Sequence, residues 1–303
     1  VVLVSCLNVV LAVLLVVSCK LGYDRARLPN LSLTLVHLTA TLIALRLVPH
    51  WSPDSTGLLR APCVAASEPG PSTGETLVLA LLLCAFVARP NLSLEFNSAG
   101  TSLLLRLASL PATAWFQWLL RGRQTRTPVK LSLVPVGVGV ALNALGDVRY
   151  SGPGLAFGLA GAMAAACYQT LSADQQSRLQ IPSWHLLQSQ LRWALPALAS
   201  HVVLLEPPWR GPRGLLARTW ALLDAVLLAG STLAGVLLML SMQWLLGRTS
   251  ALSYQVLGHV KMGVSLVACA LLLDQPLALL QQLSVVLTLC GAFLYTLFKA
   301  REE

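Results

Sequence analysis

Three observations predict an all-α membrane protein of about ten transmembrane helices, arranged as two inverted five-helix repeats. Of its 303 residues, 56% are hydrophobic and only 11% charged, whereas soluble domains carry about 25% charged residues. Apolar stretches recur along the chain with short polar breaks, each near the roughly 20 residues that a helix needs to cross a 30 Å hydrocarbon core. Two of these stretches, the fourth and the ninth, carry a base well inside them, Arg106 and Lys261, where a charge is costly and marks a substrate path by default.

The spans follow in order. Val1 to Ser18 and Leu31 to Val48 come first, followed by a Pro/Gly/Ser-rich loop from Pro49 to Gly74 and a third span from Thr76 to Asn97. Val1 to Ser18 resembles a signal core in its apolarity, but no basic segment precedes it, so it reads as a first span. Gly100 to Leu120 is the fourth, then Leu131 to Leu145, Gly154 to Leu171 and His185 to Leu205. Leu216 to Leu246 is long enough to tilt or to begin at the interface. Ser250 to Leu273 and Leu277 to Phe298 close the series. One membrane domain results, with half-repeats at roughly residues 1–148 and 152–303.

Loop charges bear on orientation. With an even number of helices both ends share a side. That side carries Arg46, Arg60, Arg121, Arg123, Arg126, Lys130, Arg178, Arg248, Lys299 and Arg301, against Lys20, Arg25, Arg27, Arg149, Arg210, Arg213 and Arg218 opposite. The excess favours cytosolic termini. The net charge of +9 is thereby spread over membrane-flanking loops, and no nucleic-acid partner follows from it.

Motifs narrow the chemistry. The chain has no CxxC, HExxH, Walker or GxSxG pattern, and its five histidines are dispersed, so metal and hydrolase chemistry find no support. We expect no enzyme activity and no cofactor. Gly137-Val138-Gly139 lies in an apolar helix with no strand before it, which argues against a nucleotide loop. Gly154, Gly158, Gly161 and Ala165 line one side of the sixth span, and Gly230, Ala234, Ser231 and Gly235 do so on the eighth. Small residues of this kind let helices approach closely in lipid.

Arg106 lies about 9 Å into the fourth span and Lys261 about 16 Å into the ninth, at 1.5 Å per residue. Arg89 and Arg192 also fall within spans, and Glu95 and Asp224 are the acids available to neutralise such bases. A structural ion-pair network is therefore the competing reading. Two halves of five make the fourth and ninth helices counterparts, and inverted repeats put substrate at their midplane interface. Arg supplies a bidentate fork and Lys a mobile point charge, a combination suited to a phosphorylated anion. His37 reads as a packing residue that hydrogen-bonds a neighbour. His259 and Tyr254 fall close to Lys261 in sequence, and Tyr254 is placed to share its helix face. Asn30 and Asn91 begin Asn-Leu-Ser sequons, but both lie at or inside helices and are not expected to be glycosylated.

Leu28-Pro29-Asn30-Leu31-Ser32-Leu33-Thr34-Leu35-Val36-His37, Asn91-Leu92-Ser93-Leu94 and above all the segment from Gly247 through Thr249-Ser250, Tyr254 and Gly258-His259-Val260-Lys261 resemble the drug/metabolite transporter superfamily. Within it they resemble the triose-phosphate and nucleotide-sugar translocators of solute carrier family 35, subfamily E, in a member-three-like pattern. The resemblance implies an antiporter of a nucleotide sugar or phosphorylated sugar in an endomembrane, commonly Golgi or ER. Its partners would be a small anionic solute and membrane lipid, and it leaves room for a homodimer. Lys261 matches a phosphate-binding lysine of the ninth helix, and Arg106 stands where the fourth helix usually has lysine. Tyr254, His259, Tyr168 with Gln169, and Gln190 also fit the pattern. The chain departs from it at Met262, Gln175, Leu103, Arg89-Pro90 and Arg192, which keeps a transport-silent scaffold or regulator as the alternative.

Overall fold

A computed structural model describes residues 2–51, 72–122, 126–146, 151–179, 183–209, 214–246, 251–273 and 278–301. These form eleven α-helices and, among the described residues, no strand. The helices are α1 (Val2–Asp24), α2 (Asn30–Trp51), α3 (Thr73–Phe96), α4 (Ala99–Leu107), α5 (Ser109–Arg121) and α6 (Thr127–Gly146). They continue with α7 (Gly152–Leu179), α8 (Ser183–Leu205), α9 (Leu222–Leu246), α10 (Ala251–Leu272) and α11 (Leu279–Ala300). Among the described residues, seven spans, with α4 and α5 counted as one, are long and apolar enough to cross a membrane.

The faces of these helices are turned for lipid. On α11 the buried residues are Gln281, Ser284, Thr288, Gly291, Ala292, Tyr295 and Thr296, while Leu283, Val286, Phe293 and Leu297 are exposed. Small and polar inside with apolar outside is the packing expected where water supplies no drive between helices.

The expected spans map onto the helices with three differences. The fourth is two helices. Pro111 has no N–H for the Leu107 carbonyl, and just before it the Ala108 N–H bonds Leu105 O at 3.1 Å, a tightened turn that separates α4 from α5. The first and sixth run further than expected, to Asp24 and Leu179. Lys20 at the end of α1 is buried and pairs with Asp24 at 3.2 Å, one turn on. The eighth begins at Leu222, and residues 216–221 are not helical. The loop from 52 to 71, Cys63, and the Gly247-to-Ser250 part of the ninth-span motif lie outside the described residues.

Two compact units partition the chain, one of Val1–Cys84 with Leu171–Thr249 and one of Ala85–Thr170 with Ser250–Glu303. In the first, α1 packs on α9, and α2 on both α8 and α9. Asn8 Nδ2 donates to Ser241 Oγ at 2.8 Å across α1 and α9. His37 Nε2 meets Ser231 Oγ at 3.0 Å across α2 and α9, the packing role its sequence position suggests. The backbone N–H and hydroxyl of Ser32 donate to Glu206 at 3.0 and 3.3 Å. A carboxylate thus satisfies the first turn of α2 and its dipole. Asn30, one of the two sequon asparagines, is completely buried there.

In the second unit α6 packs along α11, and α4 against α6, α10 and α11. Glycines make these approaches. A Cβ on Gly139 would overlap Thr288 Oγ1, and one on Gly291 would come within 2.9 Å of Pro135 and Val136. On α7, the predicted small-residue stripe faces α3 and α4. Gly154 abuts Asn97, Gly158 abuts Leu105 and Ser93, and a Cβ on Gly161 would lie 2.7 Å from the Pro90 ring. The stripe on α9 behaves differently. Gly235 makes only ordinary contacts with Leu15 and His37, and Gly230 faces open space.

Candidate substrate-binding site

Arg106 and Lys261 both lie in the second unit, on helices that pack together. Ser98 begins α4 as its cap, its hydroxyl accepting from the Thr101 N–H at 3.3 Å. Nine residues later the helix ends. Arg106 sits in the last turn, where the negative end of the helix favours a cation. Lys261 lies halfway along α10, the helix against which α4 packs. The two side chains are half-buried and close enough that the positive charge of Arg106 acts on Lys261. Like charges in such surroundings repel, and an anion shared by both relieves the repulsion.

Around the pair, polar groups are buried one helical turn away. Ser102 precedes Arg106 by four residues and meets Ser93 Oγ at 3.4 Å. Ser265 follows Lys261 by four and is buried. In the first turn of α4, Thr101 Oγ1 accepts from Asn143 Nδ2 of α6 at 2.9 Å, and in the link before α4, Asn97 Oδ1 accepts from the Ser151 N–H at 3.2 Å. Apart from Ser93, which belongs to the Asn91-Leu92-Ser93-Leu94 segment, these serines, threonines and asparagines carry no motif. Their small polar side chains inside apolar runs were the available signal.

The other expected site residues distribute as follows. His259 precedes Lys261 by two, a rotation of about 200° on a helix. Its Nε2 meets Thr296 Oγ1 of α11 at 2.8 Å, so it faces α11. Tyr254 belongs to α10, seven residues before Lys261 and hence on its face; its side chain lies outside the described residues. Tyr168 of α7 is half-buried and stacks on Phe86, with ring centroids 5.6 Å apart. Gln190 of α8 is completely buried and belongs to the first unit.

The acids expected to neutralise intramembrane bases divide differently. Asp224 pairs with Arg218 of the segment before α9, at 2.5 Å, so it answers an arginine at the helix entrance. Arg89 and Arg192 are exposed. An acid that sequence reasoning passed over, Glu75 at the start of α3, accepts from Arg178 at 2.6 Å and from Gln175 at 3.5 Å. The hydrogen bond to Glu75 raises the Arg178 pKa. Gln175, noted as a departure from the family pattern, therefore contacts an acid at the end of α7.

No family model matches the chain. It is 26% identical over 237 residues to Nucleotide-sugar uncharacterized transporter 1 of Arabidopsis thaliana, covering 77% of this chain and 60% of that protein. Against Nucleotide-sugar uncharacterized transporter 2 of the same plant it is 27% identical over 299 residues, covering 95% and 70%. Solute carrier family 35 member E4 of Homo sapiens is 29% identical over 236 residues, covering 75% and 64%. The matched regions thus span 60 to 70% of these relatives. A solved crystal structure 18% identical in sequence shares the fold, with a TM-score of 0.57 over 99% of this chain and 98% of that one.

Proposed function

We propose that this chain is a member of the drug/metabolite transporter superfamily that exchanges a nucleotide sugar or phosphorylated sugar across an endomembrane. Arg106 and Lys261 hold the anionic group in a midplane cavity, and alternating access carries it across without covalent change. The observation that carries this reading is the placement of two bases, Arg106 and Lys261, on helices that pack together. Relatives named as nucleotide-sugar transporters, among them UDP-xylose transporter 1 of Arabidopsis thaliana at 26% identity, support the solute class.

The ten-helix inverted repeat belongs to the same proposal. If α4 and α5 count as one span, five pairs of helices stand five apart in order. Three of them, α2 with α8, α4 with α10 and α6 with α11, are packed together, as counterparts around a pseudo-twofold axis would be. We further propose half-repeats at residues 1–148 and 152–303, antiport, cytosolic termini, a Golgi or ER location, and site roles for Tyr254, His259, Tyr168 and Gln190. The subfamily-E, member-three-like assignment is the finest part of this reading.

Counterflow tests it. Purified protein in liposomes preloaded with unlabelled nucleotides or sugar phosphates should take up the labelled solute, and Lys261→Ala and Arg106→Ala should each abolish uptake. Uptake that persists in both variants sinks the two-base site. A properly folded wild type that exchanges nothing across a broad panel favours the transport-silent scaffold.

A further inference from the structure

The span that carries Arg106 divides at a proline, where other spans with an internal proline do not. Pro90, Pro135 and Pro196 each lie inside a helix that runs on past them. The first two have a glycine of a neighbouring helix, Gly161 or Gly291, at the ring. Pro111 is half-buried and is not among the nearest neighbours of any described glycine. Of these four prolines it is the one at which the helix stops and restarts, α4 ending at Leu107 and α5 beginning at Ser109.

The division leaves Arg106 beside carbonyls that have lost their regular helical donors. In an unbroken helix the Leu107 carbonyl would accept from the N–H of residue 111, and proline has none. The Ala108 N–H, the regular donor to Leu104 O, turns instead to Leu105 O at 3.1 Å. The start of α5 does not restore the balance, since its cap, Ala108, offers no side-chain hydrogen bond. A proline removes a donor and no acceptor, so the break carries an excess of carbonyl dipole, negative in sign. Arg106 lies between Leu104 and Leu107 in this last turn of α4, and Lys261 is on the helix packed against it.

We propose that Pro111 sets how tightly the two bases hold their anion, by keeping a helix end open next to Arg106. The inference rests on the two-base site proposed above. The excess carbonyl dipole offsets part of the Arg106 charge. It therefore eases the repulsion between the bases when the site is empty and lets a bound phosphate leave. Passage requires binding favourable enough to admit the solute and weak enough to release it. A proline needed only to bend the span for packing would be expected against a neighbouring glycine, as Pro90 and Pro135 are.

The test is counterflow in liposomes with labelled UMP, UDP-xylose and glucose 6-phosphate, comparing wild type with Pro111→Ala and Pro111→Gly. Both substitutions return the N–H at residue 111, join α4 to α5 and remove the excess acceptor. KM for an exchanged solute should fall about two- to fivefold, the range a helix end exerts on a nearby charge, and kcat should fall with it as release slows. Pro196→Ala returns an N–H to α8 and should keep the wild-type KM. KM unchanged or raised in both Pro111 variants overturns the inference and leaves the two-base site standing. Melting midpoints well below wild type in both variants overturn it as well, because the break would then serve packing. A wild type that exchanges none of the three solutes removes the transport reading and this inference together.

Discussion

Gly291 and Gly230 offer a paired substitution in which the structure sets opposite signs. At Gly291 an added Cβ would lie 2.9 Å from Pro135 Cγ, Val136 Cγ2 and the Val136 backbone nitrogen. The last of these is backbone, so no rotamer change relieves it, and α6 and α11 must separate. Overpacking of this kind costs about 1–3 kcal/mol, while replacing a helical glycine by alanine returns about 0.4–1 kcal/mol through the unfolded chain. Gly291→Ala should therefore be destabilising by about 0–2.6 kcal/mol. Nothing lies within 4 Å of a Cβ at Gly230, so Gly230→Ala keeps only the gain. The backbone term is common to both variants, and the gap between them, about 1–3 kcal/mol, isolates the strain. Apparent melting midpoints in one detergent at one scan rate measure the gap, since unfolding here is read kinetically. Equal midpoints for the two variants would refute the claim that α6 and α11 touch through Gly291.

Other expectations rest on single contacts. Lys261→Ala removes a like charge from a helix that packs against the one carrying Arg106, so it should leave the melting midpoint of solute-free protein unchanged or higher while erasing the rise that an added transported solute produces; a marked drop without solute would show Lys261 to be structural. Asp224→Asn strips the carboxylate from Arg218 at a site where both side chains are about nine-tenths buried; it should destabilise by about 3 kcal/mol, and an unchanged midpoint would count against the pairing. Glu75 and Arg178 are exposed at 42% and 55%, so solvent screening leaves their ion pair weak. Glu75→Gln should melt with the wild type, and a large loss of stability would mean the pair holds α3 and α7 together.

Element existence was legible because lipid imposes a length and a composition on every span. The positions of helix ends were less so, because side chains fix several of them. Lys20 extends α1 by pairing with Asp24, and α7 continues to place Gln175 and Arg178 against Glu75, neither of which hydropathy registers. Pro111 was visible as a residue, yet proline in a membrane helix is compatible with an unbroken span. Pro90 lies inside α3 and Pro135 inside α6, each ring seated against a glycine of a neighbouring helix, Gly161 or Gly291. The neighbour therefore absorbs the distortion in those two helices, and a sequence read one span at a time cannot supply the neighbour.

The candidate site shows the same division between what charge reveals and what geometry decides. A base in the middle of an apolar run is conspicuous, and both Arg106 and Lys261 stood out for that reason. Which groups surround them depends on helix phase. His259 is adjacent to Lys261 in the motif, but two residues turn it about 200° away, onto Thr296. Ser265, four residues beyond Lys261, attracts no notice in sequence but shares its face. Asp224 looked like an intramembrane counterion because α9 was expected to begin at Leu216. With the helix starting at Leu222, the same carboxylate falls in the first turn, where it favours the helix dipole and reaches back to Arg218. A six-residue shift in one boundary thus removes an acid from the apolar interior.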